Sequence, residues 1–208
     1  MADDLKYGYK GAEPTQSFGN NTGVFDPNDI NNLIADNKWT TFGQLELIET
    51  QTVSNVSSID FTNLGNYNVH FFVINNHQVA VTNSRLGLRF YENGVLETGS
   101  VYQWAYQQQY STGAEFRSNG NWSSIPIQIE QPIGFATGGY TYFYNLTDSS
   151  KYSFLTNQHQ RNSDAMIAEF GSGVMAQAST VTGFQLAMYD SSNYNFSMTA
   201  SLYGIRYS

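Results

Sequence analysis

The sequence contains no cysteine, which excludes disulfides and cysteine-based zinc sites. It also lacks long apolar runs: the longest strongly apolar stretches, such as residues 71–74, are far too short to cross a bilayer. The opening residues, MADDLKYGYK, have neither the basic start nor the apolar run of a secretory signal. We therefore expect a soluble protein that is made in the cytoplasm, folds without covalent cross-links and does not insert into a membrane.

Charge is scarce, and one sign dominates. The 208 residues include 9 Lys+Arg against 17 Asp+Glu, for a net charge of −8. Charged residues make up 12% of the chain, which is about half the usual share. The basic residues are scattered along the sequence, whereas binding to nucleic acid needs a basic cluster. We therefore expect no contact with DNA or RNA.

Uncharged polar residues and aromatic residues take the place of the missing charges. The chain has 15 Tyr and 14 Phe, together with many Asn, Gln, Ser and Thr. Two kinds of β protein share this composition: carbohydrate-binding domains, and subunits packed into large assemblies. Both use amphipathic side chains such as Tyr where a contact must be apolar and hydrogen-bonded at once. The composition leaves both classes open.

Residues 1–42 differ in pattern from everything that follows. The first 22 residues have no apolar period and predict an extended arm. A short helix is predicted near residues 27–37, with Asp26 as the N-cap and Pro27 at the first helical position. Its apolar stripe needs a partner surface, because so short a helix is marginal alone. The predicted docking anchors are Phe25, Ile30, Leu33, Ile34 and Trp39.

Residues 43–208 predict one β domain, in which alternating apolar and polar residues recur as about ten strands. Asn93-Gly94 predicts a tight hairpin, Gly138-Gly139 predicts a turn, and residues 107–124 predict a long polar loop. No second convincing helical pattern is found. We therefore expect an all-β fold, a jelly-roll-like antiparallel β-sandwich preceded by an N-terminal arm with one short helix.

The sequence shows no motif for catalysis, metal binding or cofactor binding. Its three histidines, His70, His77 and His159, are dispersed, and no HExxH spacing, nucleophile elbow or phosphate-binding loop is found. His70 alternates with apolar residues, so we expect it to be a packed or hydrogen-bonded strand residue. We expect a protein that is not an enzyme and needs no cofactor.

Aromatic residues surround the predicted loop, with glutamines between them. Rings that stack on a sugar, combined with amide donors, are one way in which a β-sandwich binds a glycan. The more ordinary alternative is that these rings pack beneath the loop or against an adjacent subunit. Both interpretations stay open for the residues concerned, which are Trp104, Tyr106, Tyr110 and Trp122.

Five segments of the chain resemble virion structural proteins of tailed bacteriophages, especially marine ones and those of cyanobacteria. They are GVFDPNDINNL, FGQLELIETQTVS, YNVHFFVINN, LRFYENGVLE and SLYGIRYS, and the resemblance spans about residues 7–208. Proteins of this kind look like β-sandwich subunits with an N-terminal attachment segment, used as capsid decoration proteins, fibres or other appendages.

The resemblance implies a non-enzymatic virion protein, made in the host cytoplasm and then incorporated into the particle. It would be a capsid decoration (cement) subunit or a tail or neck appendage (fibre) subunit, docked on other capsid or tail proteins through residues 1–42. A homotrimer is expected from the way such virion sandwiches associate. The alternative is a host-receptor glycan-binding module of a tail fibre, which would contact a host surface glycan.

Overall fold

The computed structural model describes residues 27–36, 45–80, 85–127, 134–162, 165–189 and 194–205. The chain divides into two units, residues 1–42 together with 207–208, and residues 43–206. In the first unit, helix α1 spans Pro27–Ala35. The short helix predicted near residues 27–37 is therefore confirmed.

Helix α1 exposes the apolar stripe that the sequence predicts. Ile34 is 53% exposed, and Ile30 and Leu33 are half-buried. The other two predicted anchors, Phe25 and Trp39, lie outside the described residues, as does the predicted N-cap. Docking through this unit stays a prediction.

The described part of the second unit contains thirteen strands. They are β1 (Leu45–Val56), β2 (Ser58–Phe61), β3 (Val69–Val79), β4 (Leu86–Glu92), β5 (Val95–Leu96), β6 (Tyr102–Tyr110), β7 (Glu115–Trp122), β8 (Ile125–Pro126), β9 (Thr137–Tyr144), β10 (Tyr152–Asn162), β11 (Met166–Ala178), β12 (Val181–Met188) and β13 (Phe196–Ile205).

These strands form two antiparallel sheets. The larger sheet has eight strands in the order β1-β13-β3-β9-β10-β11-β6-β7, and the smaller has the order β2-β12-β4-β5, with β8 also paired to β4. The pairs are nested, since β1 pairs with β13, β2 with β12, β3 with β9, and β4 with β5 and β8. Nested antiparallel pairs divided between two sheets are the pattern of a jelly roll, so the predicted jelly-roll-like β-sandwich is confirmed.

Two hairpins widen the larger sheet beyond this nested set. Strands β6 and β7 form one hairpin and β10 and β11 the other, and the two join through the pairing of β11 with β6. Strand β10 connects them to the nested set through β9. We call β10, β11, β6 and β7 the extension.

The core between the sheets is rich in phenylalanine. The Phe184 ring, on the smaller sheet, is stacked on Phe61 at 5.1 Å between centroids and lies 4.9 Å from Phe143 and 5.1 Å from Phe72 of the larger sheet. All four side chains are fully buried. Aromatic pairs at these distances add to the stabilisation from buried apolar area, so this cluster fixes one sheet against the other.

Two local predictions are wrong and one is confirmed. Residues 107–124 are not a long loop, because they form the end of β6, a turn around Gly113 (φ 87°) and β7. Gly138-Gly139 is not a turn but part of β9. The Asn93-Gly94 hairpin is confirmed: both residues have positive φ, 49° and 85°, and they connect β4 to β5.

Candidate functional site

The strand register aligns the outward side chains of the larger sheet in rows that cross all eight strands. The middle row runs through Leu47, Tyr203, Phe71, Tyr142, Thr156, Ser172, Ala105 and Asn119. Its first four members, on β1, β13, β3 and β9, are large and apolar or aromatic. Its last four, in the extension, are small or polar. The outer surface therefore has two halves of different chemistry.

The first half is an apolar surface, which we call the apolar face. It consists of Leu45, Leu47, Val69, Phe71, Val73, Tyr140, Tyr142, Tyr144, Tyr203 and Ile205. Leu45 and Leu47 are 50% and 60% exposed. Four strands at ~4.8 Å and three rows at ~6.7 Å give an area of about 400 Å². The largest apolar patch on a typical monomer covers about 300–600 Å² and is often functional, and the footprint of the apolar face is of this size.

The second half carries a trough across the extension. Its floor is the row of small or polar residues Thr156, Ser172, Ala105 and Asn119. One wall is the neighbouring row Phe170, Gln107 and Arg117, and the other wall is the row Phe154, Val174 and Gln103. A depression of about 680 Å³ lies along the first wall and one of about 430 Å³ along the second. Both are bordered by Ala105 and Ser172, so the two depressions lie side by side along this row.

The trough opens on the outer side of the sheet, because the inner side is filled at the same positions. A Cβ atom added to Gly173 would lie 2.6 Å from the Ile125 side chain. A Cβ added to Gly171 would collide with the Asn157 amide and would lie 3.1 Å from Tyr106 Cβ. Neither glycine has space beneath it. The depression beside Gly173 therefore lies above the outward rows of side chains. The other depression is bordered by outward residues of the same rows and also by Tyr106, Ser118, Asn157 and Gly171, which lie in the row between them.

Amides dominate the chemistry of the trough and its surroundings. The outward positions of the extension include five glutamines and three asparagines: Gln103, Gln107, Gln109, Gln158, Gln160, Asn119, Asn121 and Asn162. Among the described outward residues of these strands, the charged pair is Arg117 with Glu115, joined at 3.2 Å and well exposed. Phe154 and Phe170 are 43% and 48% exposed. The surface thus offers hydrogen-bond donors, acceptors and two ring faces, with nearly balanced charge.

The aromatic residues predicted from the sequence lie on the opposite side of the sheet. Trp104 and Tyr106 are stacked at 5.3 Å and are only 9% and 7% exposed. The Arg85 guanidinium donates to the Tyr106 hydroxyl and lies over its ring, 4.9 Å from the centroid. Tyr110 is half-buried and donates to Gln108 Oε1 at 3.1 Å. Trp122 is 55% exposed at the end of β7, so these four rings do not form one accessible surface.

Sequence reasoning missed the trough, although one signal for it was present. In QWAYQQQ, residues 103–109, aromatic side chains alternate with Gln or Ala, which is the period of a strand with one buried face. The outward residues Gln103, Ala105 and Gln107 belong to the trough. Their partners on β11 are 63 to 71 positions away along the chain, so the contribution of that strand could not be assigned.

Polar side chains are also buried on the inner side of the extension and of β9. His159 is fully buried, and its neighbours in the sheet are Gly139 on β9 and Glu169 on β11. Glu169 accepts a hydrogen bond from Gln108 Nε2 at 2.8 Å. Within the described residues neither ring nitrogen of His159 has a hydrogen-bond partner. Burial, with a smaller contribution from the nearby His77, lowers the pKa of His159 to about 3, so this ring is neutral at pH 7.

His70 has the structural role expected for it. It is fully buried on β3, and its Nε2 lies 2.8 Å from the Leu64 carbonyl oxygen. Burial lowers its pKa, partly opposed by this hydrogen bond. Across the described ranges, no three His, Asp or Glu side chains are grouped so that they could hold a metal ion. No described helix has the length and apolar character needed to cross a membrane.

Comparisons with known proteins give no relative for this chain. No protein-family model, no curated protein and no solved structure matches it.

Proposed function

We propose that the chain is a non-enzymatic structural subunit of a tailed-bacteriophage virion, either a capsid decoration (cement) protein or a tail or neck appendage (fibre) subunit. Its residues 1–42 dock on other capsid or tail proteins, and the sandwich associates with further copies of itself, as a trimer. The resemblance of five sequence segments to such virion proteins supports the virion assignment.

The observation that carries the self-association is the apolar face. Every described strand belongs to one of the two sheets, and the smaller sheet packs on the other side of the larger one. The apolar face has about half the ~800 Å² that each partner contributes to a standard stable interface, which suits the apolar centre of a contact with a polar rim. Leu45 and Leu47 contribute its most exposed aliphatic groups.

The alternative, a host-receptor glycan-binding module of a tail fibre, was predicted at the aromatic residues of β6 and β7. The burial of Trp104 and Tyr106 argues against a glycan contact at these two rings. Their stacking on the inner side supports the other interpretation of the same residues, which is packing. Trp122 and Tyr110 keep accessible surface, but the burial of the other two rings favours the structural role.

The test of the virion assignment is mass spectrometry of density-gradient-purified phage particles from cells that express the chain. We expect it to sediment with the particles in a fixed copy ratio to the capsid or tail proteins. A chain missing residues 1–42 should fold and yet be absent from the particles. If the full-length chain is found only in the fraction that does not sediment, the virion assignment is overturned. If the truncated chain does not fold, docking through a separate arm is overturned.

The test of self-association is the solution mass measured by light scattering. We expect full-length protein at three times its 23.3 kDa chain mass, and Leu47→Lys should lower that mass because it places a charge in the apolar face. The matched control is Thr52→Lys, an exposed residue of the same strand whose row contains Thr199 and Asn75. A monomeric wild-type chain, or equal effects of the two substitutions, would contradict the role of the apolar face.

A further inference from the structure

We propose that the trough across the extension is a binding site for an uncharged oligosaccharide, a segment of a neutral polysaccharide. This inference goes beyond the structural role and does not depend on it, because it concerns the other half of the outer surface. It also differs from the glycan contact predicted from the sequence, which involves residues on the opposite side of the sheet.

The dimensions of the trough suit several sugar units in a row. Its floor crosses four strands, from Thr156 to Asn119, a distance of about 14 Å at ~4.8 Å for each strand spacing. Its two walls are four residues apart along each strand, as Phe170 and Val174 are on β11. This spacing corresponds to about 13 Å between their Cα atoms. The two depressions have volumes of about 680 and 430 Å³ and are widely open to solvent, so a bound chain would keep one side exposed.

The floor is what makes the trough accessible. Ala105 and Ser172, paired across β6 and β11 in its centre, have short side chains, whereas the walls on either side carry Phe, Gln, Arg and Val. A ligand can therefore approach the backbone of two neighbouring strands over this row. Because the inner side is filled by Ile125 and by Asn157, the ligand can bind without rearrangement of the core.

The lining combines the two contacts that a sugar requires. Phe170 and Phe154 stand on opposite walls and are 48% and 43% exposed as residues, and an apolar ring face can stack on the C–H face of a pyranose. Gln103, Gln107 and Asn119 each supply an amide with two N–H donors and one carbonyl acceptor. Hydroxyl groups both donate and accept hydrogen bonds, so a row of amides matches a row of hydroxyls.

Charge selects a neutral ligand over an acidic one. The described outward residues of the extension carry one cation, Arg117, and its guanidinium Nη2 donates to Glu115 Oε2 at 3.2 Å. The whole chain carries a net charge of −8. The negative field of the protein would repel an acidic polysaccharide. The trough offers such a ligand one cation, which is already paired. An uncharged chain meets no such opposition.

The experiment is calorimetric titration of full-length protein with a panel of neutral linear hexasaccharides, namely malto-, cello-, laminari- and xylohexaose, with an acidic hexagalacturonate for comparison. Two variants alter the trough: Phe170→Ala removes a wall ring, and Ala105→Tyr fills the floor. The matched control is Phe116→Ala, because this ring is 46% exposed, compared with 48% for Phe170, but projects from the opposite side of the sheet. Circular dichroism checks that all variants fold.

We expect at least one neutral hexasaccharide to bind, with affinity lowered tenfold or more by Phe170→Ala and by Ala105→Tyr and unchanged by Phe116→Ala. Preference for the acidic hexasaccharide, or no binding of any neutral one, would overturn the proposal. So would neutral-sugar binding that survives both trough variants or is lost in Phe116→Ala. If Ala105→Tyr instead lowers the solution mass of the protein, the trough is a contact between copies of the chain and the proposal fails.

Discussion

The burial of His159 makes the stability of the sandwich depend on pH. Burial lowers the pKa of this imidazole from 6.5 to about 3, with a smaller contribution from His77. Below pH 6.5 the unfolded chain takes up a proton on this ring, whereas the folded chain does not until about pH 3. Acidification therefore favours the unfolded state throughout this window. The stability that the neutral ring contributes is complete above pH 6.5 and falls as the pH falls.

The size of the effect follows from proton linkage. Each pH unit inside the window lowers the free energy of unfolding by about 1.4 kcal/mol for one such group. The isoelectric point near 4.6 sets a practical lower limit, because proteins of zero net charge tend to self-associate. At about pH 5.2, His159 alone should have removed about 1.8 kcal/mol of the stability that is present well above pH 6.5. That is a large part of the ~5–15 kcal/mol by which domains are usually stable.

The assay is urea unfolding, followed by tryptophan fluorescence, at four pH values between about 7.5 and 5.2. The comparison variant is His159→Gln, whose side chain does not titrate. His70, which is also buried with a lowered pKa, is present in both proteins, so the difference between the two slopes reports on His159 and its coupling to His77. We expect the wild-type free energy of unfolding to fall more steeply by about 1.4 kcal/mol per pH unit below pH 6.5. Parallel slopes would refute the reasoning, since they would mean that the folded protein binds this proton as readily as the unfolded chain.

Two further predictions concern packing in the same sandwich. Gly139→Ala should lower the free energy of unfolding by about 2–4 kcal/mol in urea titrations, because its Cβ would collide with the His159 ring. Gly138→Ala, on the outer side of the same strand, should cost less, because its Cβ would lie 3.0 Å from the Ile74 carbonyl oxygen and would not collide with a ring. Equal losses would contradict the packing of the His159 ring. Tyr102→Phe should cost about 1–3 kcal/mol in the same titration, because it removes the hydroxyl that accepts the buried Phe90 N–H. An unchanged unfolding midpoint would show that this N–H finds another partner.

The nested strands could be predicted from the sequence because each has one strongly apolar side. Residues 69–74 and 86–90 alternate clearly enough for a strand assignment, and Asn93-Gly94 requires a turn whatever surrounds it. Strand β7 escaped prediction because its inward residues are Phe116, Ser118, Gly120 and Trp122. Two of these four have little apolar area, so the period of two is hidden.

The candidate site was harder to predict because it depends on long-range register. Ala105 and Ser172 are unremarkable in sequence and become the floor of a trough only when β6 lies beside β11. In a similar way, Gly139 is typical of a turn in the sequence, and only the folded structure shows that it lies against the ring of His159. Neither pairing leaves a local signal, since in each case the second residue belongs to a distant hairpin.

The pairing of β1 with β13 has a consequence for the time course of folding. Leu45 and Ile205 are partners although 160 positions separate them along the chain. At the ~5–20 residues per second of protein synthesis, β1 leaves the ribosome roughly 8–32 s before its partner exists. Throughout that interval Leu45 and Leu47 stand on an unpaired strand edge, which is the kind of segment that pairs with other chains. Nascent chains of this protein should therefore depend on early shielding of β1, by a chaperone or by another part of the emerging polypeptide.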